Sequence, residues 1–268
     1  MDRRELLDKT AQDAEERLLL SRVWDKREQC RQRNIPAATD FLSPQEQAAA
    51  QRLLTALGVR EGYAFSGGYE GAERRRLVFL PDWKDAPDEQ EITAVEARCR
   101  SGSSLTHRDF LGSLMALGLT RGKIGDILLT EGGCQVIVEP SVAEHLVQSW
   151  DSAGRERLTV AALPSLTALA PQAPVFTEVR DTVASLRLDG VASAGFGVSR
   201  GKAAEAIQRG AVQVNHTVCL KPDKPVAAGD VITAGAGGAA CWAAWEVLPG
   251  RGGSPSSYSG IHDMIRRI

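Results

Sequence analysis

Apolar residues follow a helical period through the first part of the chain, among dense and balanced charge. The apolar positions are Leu6, Leu7, Ala14, Leu18 and Val23. They predict a helix over residues 2–33, which should end near Pro36 because proline disfavours a helical conformation in its predecessor. Ser43 can cap a second helix, with Glu46 completing a capping box, and Gly58 can close it. The pattern predicts an N-terminal helical hairpin over residues 1–59.

Short apolar runs replace the helical period between residues 60 and 163. They predict strands at residues 77–80, 91–97, 126–129, 135–138 and 158–163, and helices at residues 108–117 and 142–150. The sequence Glu131-Gly132-Gly133 is typical of a hairpin turn between two of these strands. A small sheet with helices on one face fits this order of elements. Three prolines in eleven residues, Pro164, Pro171 and Pro174, then predict a linker over residues 164–174.

A third unit is predicted over residues 175–240. Two short helices are expected at residues 182–194 and 199–209, with Ser199 as a cap and Gly210 as a terminator. Short strands should follow at residues 212–215 and 231–232. The chain from Gly235 is rich in glycine, alanine and serine, and poor order is expected in parts of it and of the tail, residues 241–268. The predicted fold class is α+β.

Composition and charge limit the kinds of partner. The chain has 268 residues, 43% of them hydrophobic, which suits two or three small domains. Its formal net charge is −2, so a nucleic-acid site would have to be a local basic patch. The five cysteines and four histidines are scattered, and neither a metal site nor a disulfide framework is expected. The sequence shows no signal core and no membrane-length apolar run, so we expect a cytoplasmic protein with no membrane partner.

The third unit carries the candidate chemistry. Its cations are Arg187, Arg200, Lys202, Arg209 and Lys221. Arg200 and Lys202 fall in the first turn of a predicted helix, where unpaired backbone N–H groups favour an anionic phosphate. Lys202 and Arg209 share a helix face, two turns apart. The alternative is that all five are ordinary surface residues, and the pattern alone favours neither interpretation.

A run of landmarks in this unit strongly resembles the alpha-L RNA-binding domain, the S-four type of ribosomal proteins. The landmarks are Arg187-Leu188-Asp189, Ser199-Arg200-Gly201-Lys202-Ala203, Ile207, Gly210, Val212, Val214-Asn215, Lys221-Pro222 and Gly229-Asp230-Val231-Ile232. The resemblance implies RNA contacts by Arg187, Ser199, Arg200, Lys202, Arg209, Asn215 and Lys221. Asp189 is expected to orient Arg187 or to hold the fold, because an acid that faced phosphates would repel them.

Motifs in the rest of the chain resemble the YlmH family of bacterial proteins. They are Thr39-Asp40-Phe41-Leu42, Gly67-Gly68-Tyr69-Glu70, Ala72-Glu73-Arg74, the run from Leu105 to Gly112, and Gly125-Asp126-Ile127. The resemblance implies an N-terminal helical part, a middle domain of RNA-recognition-motif type and the RNA-binding domain last. It also implies binding to rRNA or tRNA on an obstructed large ribosomal subunit in ribosome-associated quality control, with a link to cell division.

The chain departs from the family pattern after the Val231-Ile232 strand. The family continues there with an Arg-Gly-x-Gly-Arg segment, whereas this chain reads Thr233-Ala234-Gly235-Ala236-Gly237-Gly238. Each lost phosphate contact removes some affinity and some salt dependence. We therefore expect weaker RNA binding than in relatives, or more reliance on the middle domain.

A second group of cations in the middle of the chain could add RNA contacts. Its members are Arg74, Arg75, Arg76, Arg108, Arg121 and Lys123. The alternative is that alternating arginines beside a strand face solvent. His107-Arg108-Asp109 is best interpreted as a helix start capped by Thr106.

Two other functional classes stay open. An RNA-modifying enzyme could use the same RNA-binding domain, although the sequence offers no catalytic set and no cofactor motif. A protein–protein adaptor could use the N-terminal helices or the Trp242–Trp245 region. We expect a non-catalytic, monomeric protein that binds RNA rather than DNA.

Overall fold

The chain forms two units, Met1–Gln172 and Ala173–Ile268. The structure is a computed structural model. It describes residues 2–88, 91–101, 105–171, 176–183, 185–227, 230–234, 241–247 and 258–266. For residues 176–182, 241–247 and 258–266 it describes the backbone alone. In the described ranges no helix combines the length and the apolar character that a membrane span requires.

The first unit begins with helices packed on a small sheet. Its elements are α1 (Arg3–Thr10), α2 (Ala14–Arg33), β1 (Ala37–Leu42), α3 (Pro44–Ala56), β2 (Tyr63–Ser66) and β3 (Arg75–Phe79). The single helix predicted over residues 2–33 is two helices, because Asp13 leaves the helical conformation and caps α2 by accepting from the Glu16 N–H at 2.8 Å. The capping box of Ser43 and Glu46 is confirmed at the start of α3.

The N-terminal part is more than a helical hairpin, because its helices cover an antiparallel sheet of order β1-β3-β2. In this sheet Ala37 pairs with Phe79, and Tyr63 pairs with Phe79 from the other side. The sheet crosses residue 59, where the sequence analysis had separated the first two domains. Pairing between β1 and β3 joins distant segments, and local periodicity does not report it.

The middle of the chain has the RNA-recognition-motif-like order of strands and helices that the family resemblance implied. Its elements are β4 (Thr93–Cys99), α4 (His107–Ala116), β5 (Ile124–Thr130), β6 (Gly133–Val138), α5 (Pro140–Ser149), β7 (Ser152–Ala153) and β8 (Glu156–Ala162), with short 3-10 helices at Arg121–Lys123 and Leu166–Ala168. The sheet order is β5-β6-β4-β8-β7. Both helices lie on one face, where Phe110, Leu114 and Leu146 are fully buried.

The opposite face of this sheet is partly covered by the chain itself. Phe41 packs there against Ile137, together with the leucines Leu163, Leu166 and Leu169. The Gln135 amide donates to the Ala168 carbonyl at 3.3 Å and accepts from the Ala170 N–H at 2.8 Å. The segment predicted as a linker therefore packs on the sheet up to residue 170, and residues 172–175 lie outside the described ranges.

The second unit combines two helices with a long sheet. Its elements are β9 (Phe176–Val183), α6 (Leu188–Phe196), α7 (Arg200–Gln208), β10 (Val212–Val214), β11 (Thr217–Val218), β12 (Val231–Ala234), β13 (Cys241–Val247) and β14 (Tyr258–Arg266). The sheet order is β11-β10-β12-β13-β14-β9. Leu188, Val191 and Ile207 of the helices are buried against Val212 and Ile232 of the sheet.

One expectation for this unit was wrong. The helix predicted over residues 182–194 begins only at Leu188, and residues up to Val183 form β9, which pairs with β14. The tail, in parts of which poor order was expected, contributes β13 and β14 to the sheet. The helix start was misplaced because β9 and β14 are far apart in sequence, and local periodicity gives no sign of their pairing.

Candidate nucleic-acid interface

The start of α7 presents cations to solvent. Gly197 takes a left-handed conformation, with a φ of 62°, and ends α6. Ser199 then caps α7 by accepting from the Lys202 N–H at 3.4 Å. Arg200 and Lys202 consequently lie in the first helical turn, both exposed, as the sequence analysis predicted. Ser199 itself is occupied as the cap.

Asp189 brings two predicted site residues together. Its carboxylate accepts from Arg200 Nε at 3.0 Å and Arg200 Nη2 at 3.1 Å. It also accepts from Arg187 Nε at 3.3 Å and Arg187 Nη2 at 3.4 Å. The Asp189 side chain is 9% exposed, while those of Arg187 and Arg200 are 45% and 56% exposed. We call this arrangement of three side chains the arginine clasp.

The clasp holds an ionised carboxylate. Burial alone would raise the pKa of Asp189, but hydrogen bonds from Arg200 and Arg187, and from the Gly190 N–H, lower it below its ordinary value. The same pairing raises the pKa of Arg200. Two guanidinium groups and one carboxylate leave one net positive charge at a place that solvent reaches.

The loop after β11 is attached to the start of α6. The Leu188 N–H donates to the Lys224 carbonyl at 2.9 Å, and the Asp189 N–H donates to the Pro222 carbonyl at 2.8 Å. The exposed Lys221 lies in this loop, directly before Pro222. The backbone of the predicted cation at 221 therefore lies beside the helix turn that carries the clasp.

The other predicted contacts are less available. Arg209 forms an ion pair with Glu205 on the surface of α7. Asn215 has a positive φ of 50° and forms, with His216, the turn between β10 and β11. Its amide donates to Asp230 Oδ1 at 2.8 Å and accepts from the Val231 N–H at 2.9 Å. Asn215 therefore holds a turn, and its polar atoms are used within the domain.

Arginines at the start of β3 and just before it hold the first unit together. Arg74 donates to the carbonyls of Phe41 at 2.7 Å and Ile124 at 3.1 Å, and so links β1 to β5. Arg76 is buried, and it donates to the carbonyls of Thr39 at 2.7 Å and Glu91 at 2.5 Å. A guanidinium group suits this role because it offers several donors in one plane. The guanidinium groups of Arg74 and Arg76 are thus bound to carbonyls of the first unit, and their contact with RNA stays a prediction.

Three further members of the second group are also engaged. Arg121 donates to the carbonyls of Ile124 at 2.8 Å and Gly125 at 3.0 Å. Arg75 donates to the Ala72 carbonyl at 2.6 Å. Lys123 pairs with Asp40 at 3.0 Å and Glu139 at 2.5 Å. We call Arg74, Arg76, Arg121 and their partners the buried joint. Arg108 lies apart from it, exposed in the first turn of α4.

Asp126 is the acidic partner that the sequence analysis missed in the buried joint. It accepts from the Tyr69 hydroxyl at 2.8 Å and from the backbone N–H groups of Glu73 and Arg74 at 2.7 and 3.0 Å. Burial lowers the pKa of Arg74, and burial with repulsion from Arg74 lowers that of Arg121 to about 10. The sequence offered two hints, because Asp126 stands within an apolar strand and belongs to the motif Gly125-Asp126-Ile127.

Comparisons with known proteins divide the chain in the same order. Three family models match it in succession: "YlmH, N-terminal" over residues 15–82, "Putative RNA-binding domain in YlmH" over residues 92–166 and "S4 domain" over residues 186–232. The first match extends past β3 and so includes the whole N-terminal sheet. The last one contains the arginine clasp.

Two individual proteins are similar to the chain. The "Ribosome-associated protein quality control protein P2" of Bacillus subtilis (strain 168) is 35% identical over 199 residues, which are 73% of this chain and 76% of that protein. The solved structure "Cell division protein ylmH from Streptococcus pneumoniae" is 22% identical, with a TM-score of 0.48 over 60% of this chain and 98% of the other.

Proposed function

The chain belongs to the YlmH family of RNA-binding proteins, and from that premise we propose that it docks on structured RNA of the large ribosomal subunit in ribosome-associated quality control. The arginine clasp is the observation that carries this proposal. Its two arginines are more than two-fifths exposed and fixed in place, next to the first turn of α7 with its exposed Lys202. Phosphate is the anion that such a group fits best.

The proposed mechanism is binding without chemistry. Arg187 and Arg200 would contact phosphates of a structured rRNA or tRNA, with Lys202 and Lys221 adding charge on either side. Contacts of this kind fix the position and orientation of the protein and carry little base information. Binding to ribosomal subunits requires that the protein lies in the cytoplasm. We also propose that the protein acts as a monomer. The link to cell division stays a prediction.

The contact set is smaller than the one expected from the family resemblance. Ser199 and Asn215 support the fold, and the exposed Glu205 carboxylate balances the charge of Arg209 one to one. Arg187 and Arg200 instead share the single buried carboxylate of Asp189, so we assign the main contacts to these two arginines and Lys202. In the middle domain, recognition motifs use aromatic side chains on the sheet face opposite the helices to stack bases. Here that face carries Glu96, Gln135 and Ile137 instead, and Phe41 with three leucines covers part of it. The second unit should therefore dominate RNA affinity.

Co-sedimentation with bacterial large ribosomal subunits across a salt series tests the proposal. The variant Arg187→Ala/Arg200→Ala/Lys202→Ala removes three cations from the second unit. A matched control, Arg4→Ala/Lys9→Ala/Arg33→Ala, removes three exposed cations from the N-terminal helices. We expect the first variant to lose affinity and about three units of salt slope, since each phosphate contact contributes roughly one.

The outcomes separate the alternatives. If both triple variants bind like the wild type, the second unit is not the RNA contact and the proposal fails. If both lose affinity equally, binding follows net charge alone. If the wild type does not bind even at low salt, the ribosomal function is wrong for this chain, and the replaced segment after Thr233 becomes the first suspect.

A further inference from the structure

The buried carboxylate of Asp189 lies where RNA would approach, although an acid there should repel phosphate. We propose that Asp189 is a positioning residue for RNA binding, which holds Arg187 and Arg200 as a fixed pair around one phosphodiester. This inference rests on the proposed function and assigns the geometry of its contact. It makes an unusual prediction, because removing a negative charge should weaken the binding of an anion.

The hydrogen bonds of Asp189 leave it little capacity to face RNA. Oδ1 accepts from Arg187 Nε, Arg200 Nη2 and the Gly190 N–H, the last at 2.8 Å. Oδ2 accepts from Arg187 Nη2 and Arg200 Nε. A carboxylate has about four lone-pair sites, so five donors use them all. Its side chain is only 9% exposed, which keeps this charge behind the arginines.

The arginines retain donors for a ligand. Each is bound to Asp189 through its Nε and Nη2, and neither Nη1 donates to any residue in the described ranges. A guanidinium group has five N–H donors, so each arginine keeps its Nη1 pair and one further donor. Two such groups held by one carboxylate can converge on a single phosphate.

Preorganisation explains why the acid should help. A free arginine side chain loses much rotamer freedom when it binds, and this cost lowers affinity. Asp189 orders both side chains before RNA arrives. Asp189 is itself fixed, because its backbone N–H donates to the Pro222 carbonyl at 2.8 Å. The pair keeps one net positive charge, and this charge is presented in a fixed place.

The test is the RNA affinity of the full chain carrying Asp189→Asn, measured on large ribosomal subunits. We expect about tenfold weaker binding, the size that follows from freeing two long side chains. Asp230→Asn is the matched control. It removes the same charge from the same unit, where Asp230 accepts from Asn215 Nδ2 and the Ala227 N–H, both at 2.8 Å. It should bind at least as tightly as the wild type.

A double-mutant cycle separates positioning from a general structural role. In the Arg187→Ala/Arg200→Ala background, Asp189→Asn should cause no further loss, because no arginine remains to be positioned. A further tenfold loss in that background would mean that Asp189 merely supports the fold, and the inference would be wrong. The arginine double variant also reports on the proposed function: if it binds like the wild type, that function fails first.

Lysine variants provide a test that does not depend on the folding of Asp189→Asn. Arg187→Lys/Arg200→Lys keeps both charges at exposed positions but removes the Nε–Nη2 edge that Asp189 holds. We expect severalfold weaker binding with an unchanged salt slope. Affinity equal to the wild type would show that charge alone matters, and would overturn the positioning role while leaving the proposed function intact.

Discussion

The buried joint and the arginine clasp use the same residue in opposite ways. In the joint, the guanidinium groups of Arg74, Arg76 and Arg121 donate to backbone carbonyls, and Arg76 is 7% exposed. In the clasp, Arg187 and Arg200 share one carboxylate and stay about half exposed. The joint satisfies polar backbone groups inside the first unit. The clasp keeps donors at the surface of the second unit.

The difference shows that an arginine-rich segment does not by itself indicate a nucleic-acid site. The run Arg74-Arg75-Arg76 has the higher local charge, yet its side chains complete the fold. The decisive feature is the partner. In the joint, backbone carbonyls inside the fold accept the N–H groups of the arginines. In the clasp, one carboxylate accepts from a single edge of each arginine, which orients the side chain and leaves its other N–H groups free.

The largest expected effect is that of Arg76→Ala on stability. The substitution leaves the carbonyls of Thr39 and Glu91 without their donors and removes a side chain that packs over the Phe41 ring at 6.0 Å. We expect a loss of about 3 kcal/mol in the free energy of unfolding, since each unsatisfied buried group costs about 1–3 kcal/mol. Urea titration measures it.

Arg187→Ala is the control for this prediction. It removes a half-exposed member of an ion pair and should cost less than about 1 kcal/mol in the unfolding free energy. RNA affinity should show the reverse order, with folded Arg76→Ala near the wild type. Equal stability losses in the two variants would remove the distinction between the joint and the clasp.

The sequence predicted the parts of the fold that depend on neighbours along the chain. The capping box at Ser43 and the cap at Thr106 were predicted and are confirmed, as is the hairpin between β5 and β6. The pairing of β9 with β14 joins segments whose separation hides it from local periodicity. The second arginine of the clasp was missed as a partner of Asp189 for the same reason, because only folding brings α6 and α7 together.

The packing of the joint predicts an intermediate effect for Gly125→Ala. A Cβ at this position would lie 2.9 Å from Phe41 Cε1 and 3.2 Å from Ile137 Cβ, closer than the core can accept without moving. We expect a loss of about 1–3 kcal/mol in the unfolding free energy. Gly112→Ala is the control, because its Cβ would meet open space in α4 and should stabilise by about 0.5–1 kcal/mol.

Asn215→Ala tests the division of roles within the second unit. It removes the amide that holds Asp230 and the Val231 N–H, and it places alanine at a φ of 50°. We expect a loss of about 1–2 kcal/mol in unfolding free energy with RNA affinity within twofold of the wild type. Asn215→Gly removes the same contacts without backbone strain and should lose less. A large loss of RNA affinity in the folded Asn215→Gly variant would show that Asn215 contacts RNA.

The smallest effect concerns His216, the second residue of the same turn. Burial lowers its pKa below the ordinary value, so the folded state favours the neutral ring. Because the pKa of His216 is lower in the folded state, its contribution to stability is fully present above its pKa in the unfolded state, about 6.5. That contribution is lost as the pH falls through the pKa of the folded state. His216→Gly removes this loss, and glycine suits the φ of 62° at that position. Urea titrations at pH 7 and pH 5 should show a smaller acid-induced drop in the variant, by less than about 1 kcal/mol. Identical drops in the two proteins would mean that His216 titrates alike in the folded and unfolded states.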